Sequence, residues 1–196
     1  MPFPALALLE FDSVAAGIVA ADAMVKAAPV DRIAAGTVQP GRYLVAVMGQ
    51  VAPVEEAVKA ANAVGGGSLR SQITLPNIHP QVYAAMTGAR DGTPITALGI
   101  VETATAPAAI AAADAGMKGA QVQLLEVRLA NGLHGKGLVF FSGEVQDVEA
   151  AVDLGTRALP AGQLVEARVI AQLHPELAAN LLATTHFREI IQPAGP

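Results

Sequence analysis

Apolar residues in this chain recur with two periods, and the switches between them mark out the elements. Residues 5–10, A-L-A-L-L-E, form a short apolar run that predicts a strand. Ser13 stands where an N-cap belongs, and a helix is expected to run on to Lys26. On that helix Ile18, Ala21 and Val25 share one face and are expected to meet the core, while Asp22 and Lys26 form an i,i+4 pair on another. Pro29 ends it. Residues 30–37 and 43–48 predict two strands, with Gln39-Pro40-Gly41 as the turn between them. Pro53 falls in the first turn of a second helix, where its missing N–H costs nothing. Val54, Ala57, Val58 and Ala61 give this helix a buried face, and Gly65-Gly66-Gly67 ends it. A strand over 69–75 and a short helix after Pro80 follow.

The same pattern is then written again. The text E-F-D-S-V-A-A-G-I-V-A-A-D-A-M-V-K from Glu10 is answered by E-T-A-T-A-P-A-A-I-A-A-A-D-A-G-M-K from Glu102. Glu10 and Glu102, Ile18 and Ile110, Asp22 and Asp114, Lys26 and Lys118 are all 92 positions apart. Strands are predicted over 96–102, 122–129, 137–141 and 163–170, and helices over 106–118, 145–158 (Val148 and Val152 inward) and 175–183. The offset grows to 94 at Gly49 and Gly143, so the second copy has two extra residues between its second and third strands. It reaches 95 at His79-Pro80 and His174-Pro175. The expected organisation is therefore a domain over 1–87, a linker over 88–95, a domain over 96–184, and a tail over 185–196 that the first copy lacks. Each domain reads β-α-β-β-α-β-α. That order predicts an α/β (α+β) fold, a ferredoxin-like sandwich with a mostly antiparallel four-stranded sheet and its helices on one side.

Composition adds a surface problem. Charged residues are only 15% and hydrophobic ones 53%, against a usual charged share of about 25%. Such a chain has little polar surface for life as a monomer, so extensive subunit contact is expected. The net charge of -5 and the absence of any charge run give no reason to expect nucleic acid as a partner. The chain has no Cys, which excludes disulfides, cysteine nucleophiles and thiolate-held clusters and fits a reducing cytoplasm. Apolar runs are too short to span a membrane, and M-P-F-P opens no signal peptide.

Catalytic machinery is not legible. Gly65-Gly66-Gly67 and the stretch 132–137 both lack the spacing of a phosphate loop. Glu10 and Glu102 end strands without an accompanying nucleophile or metal set, and capping of the following helix is the expected role. His79 and His174 precede prolines at helix starts and, being repeated, read as structural or edge-forming. No cofactor is expected.

The motifs A-L-G-I-V-E (97–102), A-A-D-A-G-M-K (112–118), S-G-E-V-Q-D-V-E-A-A-V (142–152) and V-I-A-Q-L-H-P (169–175) resemble the shell proteins of bacterial microcompartments. The first copy supplies A-L-A-L-L-E, A-A-D-A-M-V-K, M-G-Q-V-A-P-V-E-E-A-V and L-P-N-I-H-P in the same order. The resemblance is to the tandem, unpermuted kind. It implies a homotrimer that imitates a hexagonal tile, partners among other hexameric and pentameric shell proteins, a place in a cytoplasmic microcompartment shell, and small metabolites passing a central pore.

It also implies site residues. The pore-lining tips would be Gln39, Pro40, Gly41, Leu133, His134 and Gly135. Read without the resemblance, the first three are an ordinary Pro-Gly turn and His134 is a solvated loop histidine, although three copies around a threefold axis offer a place for an anion or metal. The tile edge would carry Lys26 and Lys118 with Asp22 and Asp114, and Asn77 and Gln172 where relatives carry an arginine. The plainer reading of both lysines is a solvated i,i+4 pair. Two other functions compete: a trimeric small-molecule-binding regulator, and an enzyme with an interdomain cleft.

Overall fold

The structure, a computed structural model, describes residues 4–90 and 92–186. Of the expected linker 88–95 it therefore leaves Asp91 outside, and of the tail only Thr185 and His186 are described. The first domain comprises β1 (Ala5–Phe11), α1 (Val14–Ala27), β2 (Arg32–Val38), β3 (Arg42–Gly49), α2 (Val51–Gly65), β4 (Leu69–Leu75) and α3 (Pro80–Met86). The second repeats it with β5 (Ala97–Thr103), α4 (Ala106–Gly119), β6 (Gln123–Leu129), β7 (Gly137–Gly143), α5 (Val145–Arg157), β8 (Leu164–Ile170) and α6 (Pro175–Ala183). Ser13 caps α1 as expected, its hydroxyl accepting from the Ala16 N–H at 3.3 Å.

Each domain holds one antiparallel four-stranded sheet, in the orders β2-β3-β1-β4 and β6-β7-β5-β8. Registers agree between copies: Leu8 faces Ala46 on β3 and Ile73 on β4, and Ile100 faces Phe140 and Arg168 in the same way. The two added residues lie where the offset placed them. Residues 38–42 separate the pair Thr37–Tyr43, whereas 130–136 separate Leu129–Gly137. An irregularity between Leu124 and Glu126 in β6 has no counterpart in β2.

Period-two burial explains how the layers stack. Ala5, Ala7, Leu9 and Phe11 point to the side covered by α1 and α2, where they meet Met24, Val54, Ala57 and Ala61. The intervening Leu6 and Leu8 point to the opposite side and join Ile78, just before α3, and Val82 and Ala85 on it. The expectation of helices on one side thus holds for the two long helices and fails for the short third one. Pro76 to His79 carry the chain around the sheet edge, and α3 buries its apolar stripe on the far face.

The far face of the first sheet also receives the second domain. Leu6, Leu8 and Met48 belong to the same buried cluster as Ile110, Ala113 and Met117 of α4 and as Val139, Phe141 and Val148 beneath it. The two domains therefore share a continuous apolar seam. This seam makes the repeated helices unlike each other. Helix α4 buries Ala106 through Asp114, Gly116 and Met117, but α1 buries only Gly17, Ala20 and Met24. Ile110 is 0% exposed and its counterpart Ile18 is 51% exposed, with Val25 also open. The core placement expected of Ile18 and Val25 is thus incorrect for this chain: Met24 and Ala20 fill that side, and among the described residues Ile18 and Val25 stay about half exposed.

Candidate functional site

The two hairpin loops named from the sequence meet at one end of the seam. The Gln39 N–H donates to the Asn131 side-chain oxygen at 3.1 Å, and the Gly132 N–H donates to the Gln39 side-chain oxygen at 3.0 Å. Gln39 thus stitches the short loop to the long one by its backbone and side chain together. Gln39, Pro40, Gly41 and His134 are exposed, Leu133 is half-buried and Gly135 is buried. The Gln39–Pro40 peptide is cis. His134 sits in the left-handed region with φ 53° and so does Gly135 with φ 83°. Gly135 must also admit the Arg42 guanidinium, which a Cβ at that position would strike and which lies 3.5 Å from the Gly135 carbonyl.

Arg42 was not singled out from the sequence, yet it ties the loops to the sheets. Its guanidinium donates to Glu10 at 2.7 Å and lies 3.3 Å from Asp12, while Arg70 lies 3.4 Å from Asp12. Glu10 is fully buried, and its second oxygen accepts from the Ala106 N–H at 2.9 Å. Ala106 opens α4, and the α4 N-cap Thr105 offers no side-chain cap of its own. The expected cap by Glu10 of its own following helix is therefore corrected: Glu10 caps the helix of the other domain, because β1 presents it on the face against which α4 packs. Burial pushes the Glu10 carboxyl above the ordinary 4.5, and the bonds from Ala106 and Arg42 pull the other way. Its counterpart Glu102 pairs with Lys136, as Glu10 does with Arg42, and remains partly open. Glu102 likewise does not cap α4, the helix that follows it; that place is taken by Glu10.

The residues named for the tile edge divide between the copies. In the second, Asp114 is 4% exposed and accepts from the His79 N–H of the first domain at 2.7 Å. Lys118 bonds Asp114 and also the Asn77 carbonyl across the seam. In the first copy, Lys26 and Asp22 form a 2.6 Å pair with side chains 73% and 57% exposed; Gln172, in the second copy, is exposed. The solvated-pair reading thus fits Lys26, while Lys118 is a seam residue. His79 and His174 share one structural role, each Nδ1 accepting from the N–H two residues on at 3.3 Å. Gln81 on α3 covers the edge of β6, its side-chain oxygen accepting from the Leu124 N–H at 3.2 Å.

Among the described residues, no group of three or more His, Cys, Asp or Glu side chains is placed to hold a metal ion, and no helix is long and apolar enough to cross a membrane. The chemistry on offer is that of surfaces: hydrogen-bonding loop tips, an interdomain seam, and a second set of seam-like residues left open.

Comparison with known proteins agrees with this architecture. The BMC domain matches twice, over residues 5–78 and 97–173. The chain is 36% identical over 174 residues to the bacterial microcompartment shell protein PduT of Citrobacter freundii, covering 88% of this chain and 95% of that protein. It is 28% identical over 206 residues to the carboxysome assembly protein CcmO of Synechocystis, covering 96% of this chain and 68% of that one. Among solved structures, a microcompartment protein from Desulfitobacterium hafniense DCB superposes with a TM-score of 0.77 at 42% identity, covering 89% of this chain and 98% of the other. A fused permuted hexameric shell protein shares the fold alone, with a TM-score of 0.59 at 23% identity over 79% of this chain and 83% of its own. With both BMC domains in sequence and a solved relative superposing on 89% of the chain, the chain belongs to the BMC-domain family as a tandem-domain bacterial microcompartment shell protein.

Proposed function

We propose that three copies of this chain close into a ring of six domains, a pseudohexameric shell tile whose paired loops surround a central pore for small metabolites. The observation that carries this reading is the contrast between Ile110, 0% exposed, and Ile18, 51% exposed. The seam inside the chain joins the far face of the first sheet, with α3 and β4, to α4 of the second domain. One half of an equivalent seam is left at each end of the chain: the α1 face at one, and the β8–α6 side, with exposed Leu164, Val165 and Leu177, at the other. Such a head-to-tail contact makes a closed ring when its rotation closes.

Seam pairing between copies then repeats seam pairing within one. Glu102 takes the Val14 N–H of a neighbouring copy as Glu10 takes that of Ala106. Asp22 takes the His174 N–H as Asp114 takes that of His79, and Lys26 reaches the Gln172 carbonyl as Lys118 reaches that of Asn77. The lysines then lie where seams approach the rim, which keeps them available for contact between tiles. Gln39, Pro40, Gly41, Leu133, His134 and Gly135 of three chains would form the rim of the pore. The role is structural rather than enzymatic, in a cytoplasmic shell, with other shell proteins as partners. The naming of PduT as a shell protein supports this role.

Sedimentation and negative-stain microscopy of the purified protein test the reading. Threefold discs that tile into hexagonal layers as concentration rises are expected. Monomers that never form discs overturn it, and discrete trimers that never tile but bind a small molecule saturably favour the regulator.

A further inference from the structure

We infer that the seam between copies is keyed by an ion pair that the seam inside the chain lacks: Glu176 on α6 of one copy against Arg32 on β2 of the next. The pairing rests on the ring proposed above, and its partner is a second copy of this chain.

The seam inside the chain shows the arrangement to be matched. There α3 lies against the edge of β6, and one side chain closes the contact. The Gln81 side-chain oxygen accepts from the Leu124 N–H at 3.2 Å, and its amide nitrogen donates to the Gln123 side-chain oxygen at 3.3 Å. Beside it Val82 and Leu124 are both buried, within one apolar cluster. The edge strand is thus covered in its backbone and in its apolar side chains together.

The repeat fixes the equivalent positions at the open ends. The offset of 95 that relates His79-Pro80 to His174-Pro175 carries Gln81 to Glu176 and Val82 to Leu177. Strand register carries β6 to β2. Gln123 and Leu124 pair with Ser142 and Phe141 of β7, which face Leu98 and Gly99 of β5. Arg32 and Ile33 pair with Met48 and Val47 of β3, which face Leu6 and Ala7 of β1. Arg32 and Ile33 therefore stand where Gln123 and Leu124 stand, and β2 is the outer strand of its sheet. The two apolar positions that are buried inside the chain are open here, as Ile33 and Leu177.

The two polar positions change together and in opposite senses. Where Gln81 offers a donor, Glu176 has a carboxylate oxygen; where Gln123 offers an acceptor, Arg32 has only donors. The bond between them is kept with its direction reversed, and it gains charge. Among the described residues Glu176 has no ion-pair partner and Arg32 has no carboxylate; the Arg32 guanidinium donates to the Tyr83 hydroxyl at 3.4 Å. Joining α6 to the β2 of a second copy pairs the two charges, gives the Ile33 N–H an acceptor and covers Ile33 with Leu177. Joining two copies through like domains sets one charge against a neutral glutamine instead, so the pair also selects which end meets which.

Both side chains are exposed, so their reversal should leave the single chain folded. In sedimentation, Glu176→Arg and Arg32→Glu are each expected to raise the concentration of half-assembly at least about tenfold, and the chain carrying both to return to within about threefold of the parent. Contact is read separately by cross-linking, since the chain has no cysteine of its own. Glu176→Cys chains mixed with Arg32→Cys chains and a short bis-maleimide should give a covalent pair, one of each, that neither gives alone. Reversals that assemble like the parent, a double reversal no better than the single ones, or assembled protein that does not cross-link each overturn the ion pair and leave the ring standing. A parent that never associates overturns the ring, and the pair with it.

Discussion

The carboxylate of Glu10 and the backbone N–H of Ala106 lie 2.9 Å apart across the domain seam, so the first helix of the second domain takes its N-terminal cap from the first domain. Removing that side chain orphans a buried donor and takes from Arg42 its 2.7 Å carboxylate partner, leaving it Asp12 and the Gly135 carbonyl. Glu10→Ala should lower unfolding free energy by roughly 2–3 kcal/mol, read from chemical denaturation, and Glu10→Gln by less because it keeps an acceptor. A change within 0.5 kcal/mol for the alanine variant, on the order of ordinary surface substitutions, would refute the cap.

The same residue gives a pH dependence of known sign. Its carboxyl is raised above 4.5 in the fold, so folded protein holds the proton at higher pH than unfolded chain does. Its contribution is full below the unfolded value and is lost as pH rises through the folded one. Relative to Glu10→Gln, the parent protein should therefore gain stability as pH falls from 7 toward 4.5. Parallel melting curves for the two proteins across that range would rule this out.

Asp114 and Asp22 were indistinguishable in the sequence, and the structure separates them. Asp114 receives the His79 N–H and Lys118 inside the seam, whereas Asp22 pairs with Lys26 in solvent. Asp114→Ala should cost about 2 kcal/mol and Asp22→Ala only a few tenths, in protein dilute enough to be single chains. Equal losses would show that the seam bond at Asp114 contributes nothing of its own.

That pair also shows what local pattern could and could not convey. Strand and helix order, the 92-residue repeat and the two-residue loop insertion are local, and the two sheets reproduce them. Burial of Ile18 does not follow from its pattern, because helical spacing identifies an apolar face without saying what covers it. Glu10 caps Ala106 rather than its own next helix, and sequence proximity is blind to a face that another domain occupies. Gln39 and Asn131 lay in the named loops, but their mutual bonds required the domains to be docked. Arg42 carried no local signal except its repeat partner Lys136, a second cation beside a second strand-ending glutamate.

The loop stitch makes a prediction about Gly135. Its φ of 83° and the adjacent Arg42 guanidinium leave no place for a Cβ. Gly135→Ala should destabilise by at least about 1 kcal/mol and weaken the hold of Arg42 on the loop. In hydrogen exchange, the Gln39 and Gly132 amides should then exchange faster while those of β1 and β5 stay unchanged. A variant with parental stability and parental loop exchange would show that this glycine is dispensable.

The last prediction concerns the exposed partner of a buried residue. Ile110 is sealed in the seam, so Ile110→Ala should cost about 2–4 kcal/mol in any oligomeric state. Ile18 contacts solvent in the single chain, so Ile18→Asp should leave its circular dichroism spectrum and dilute-chain stability within about 0.5 kcal/mol of the parent. At high concentration the outcomes diverge. If α1 packs on a neighbouring copy as α4 packs on the first sheet, Ile18→Asp places a charge in an apolar seam and should yield single chains in sedimentation, under conditions where the parent forms the larger species. Parental assembly by Ile18→Asp would show that the open face of α1 is not the missing half of the seam, and the ring would have to close elsewhere.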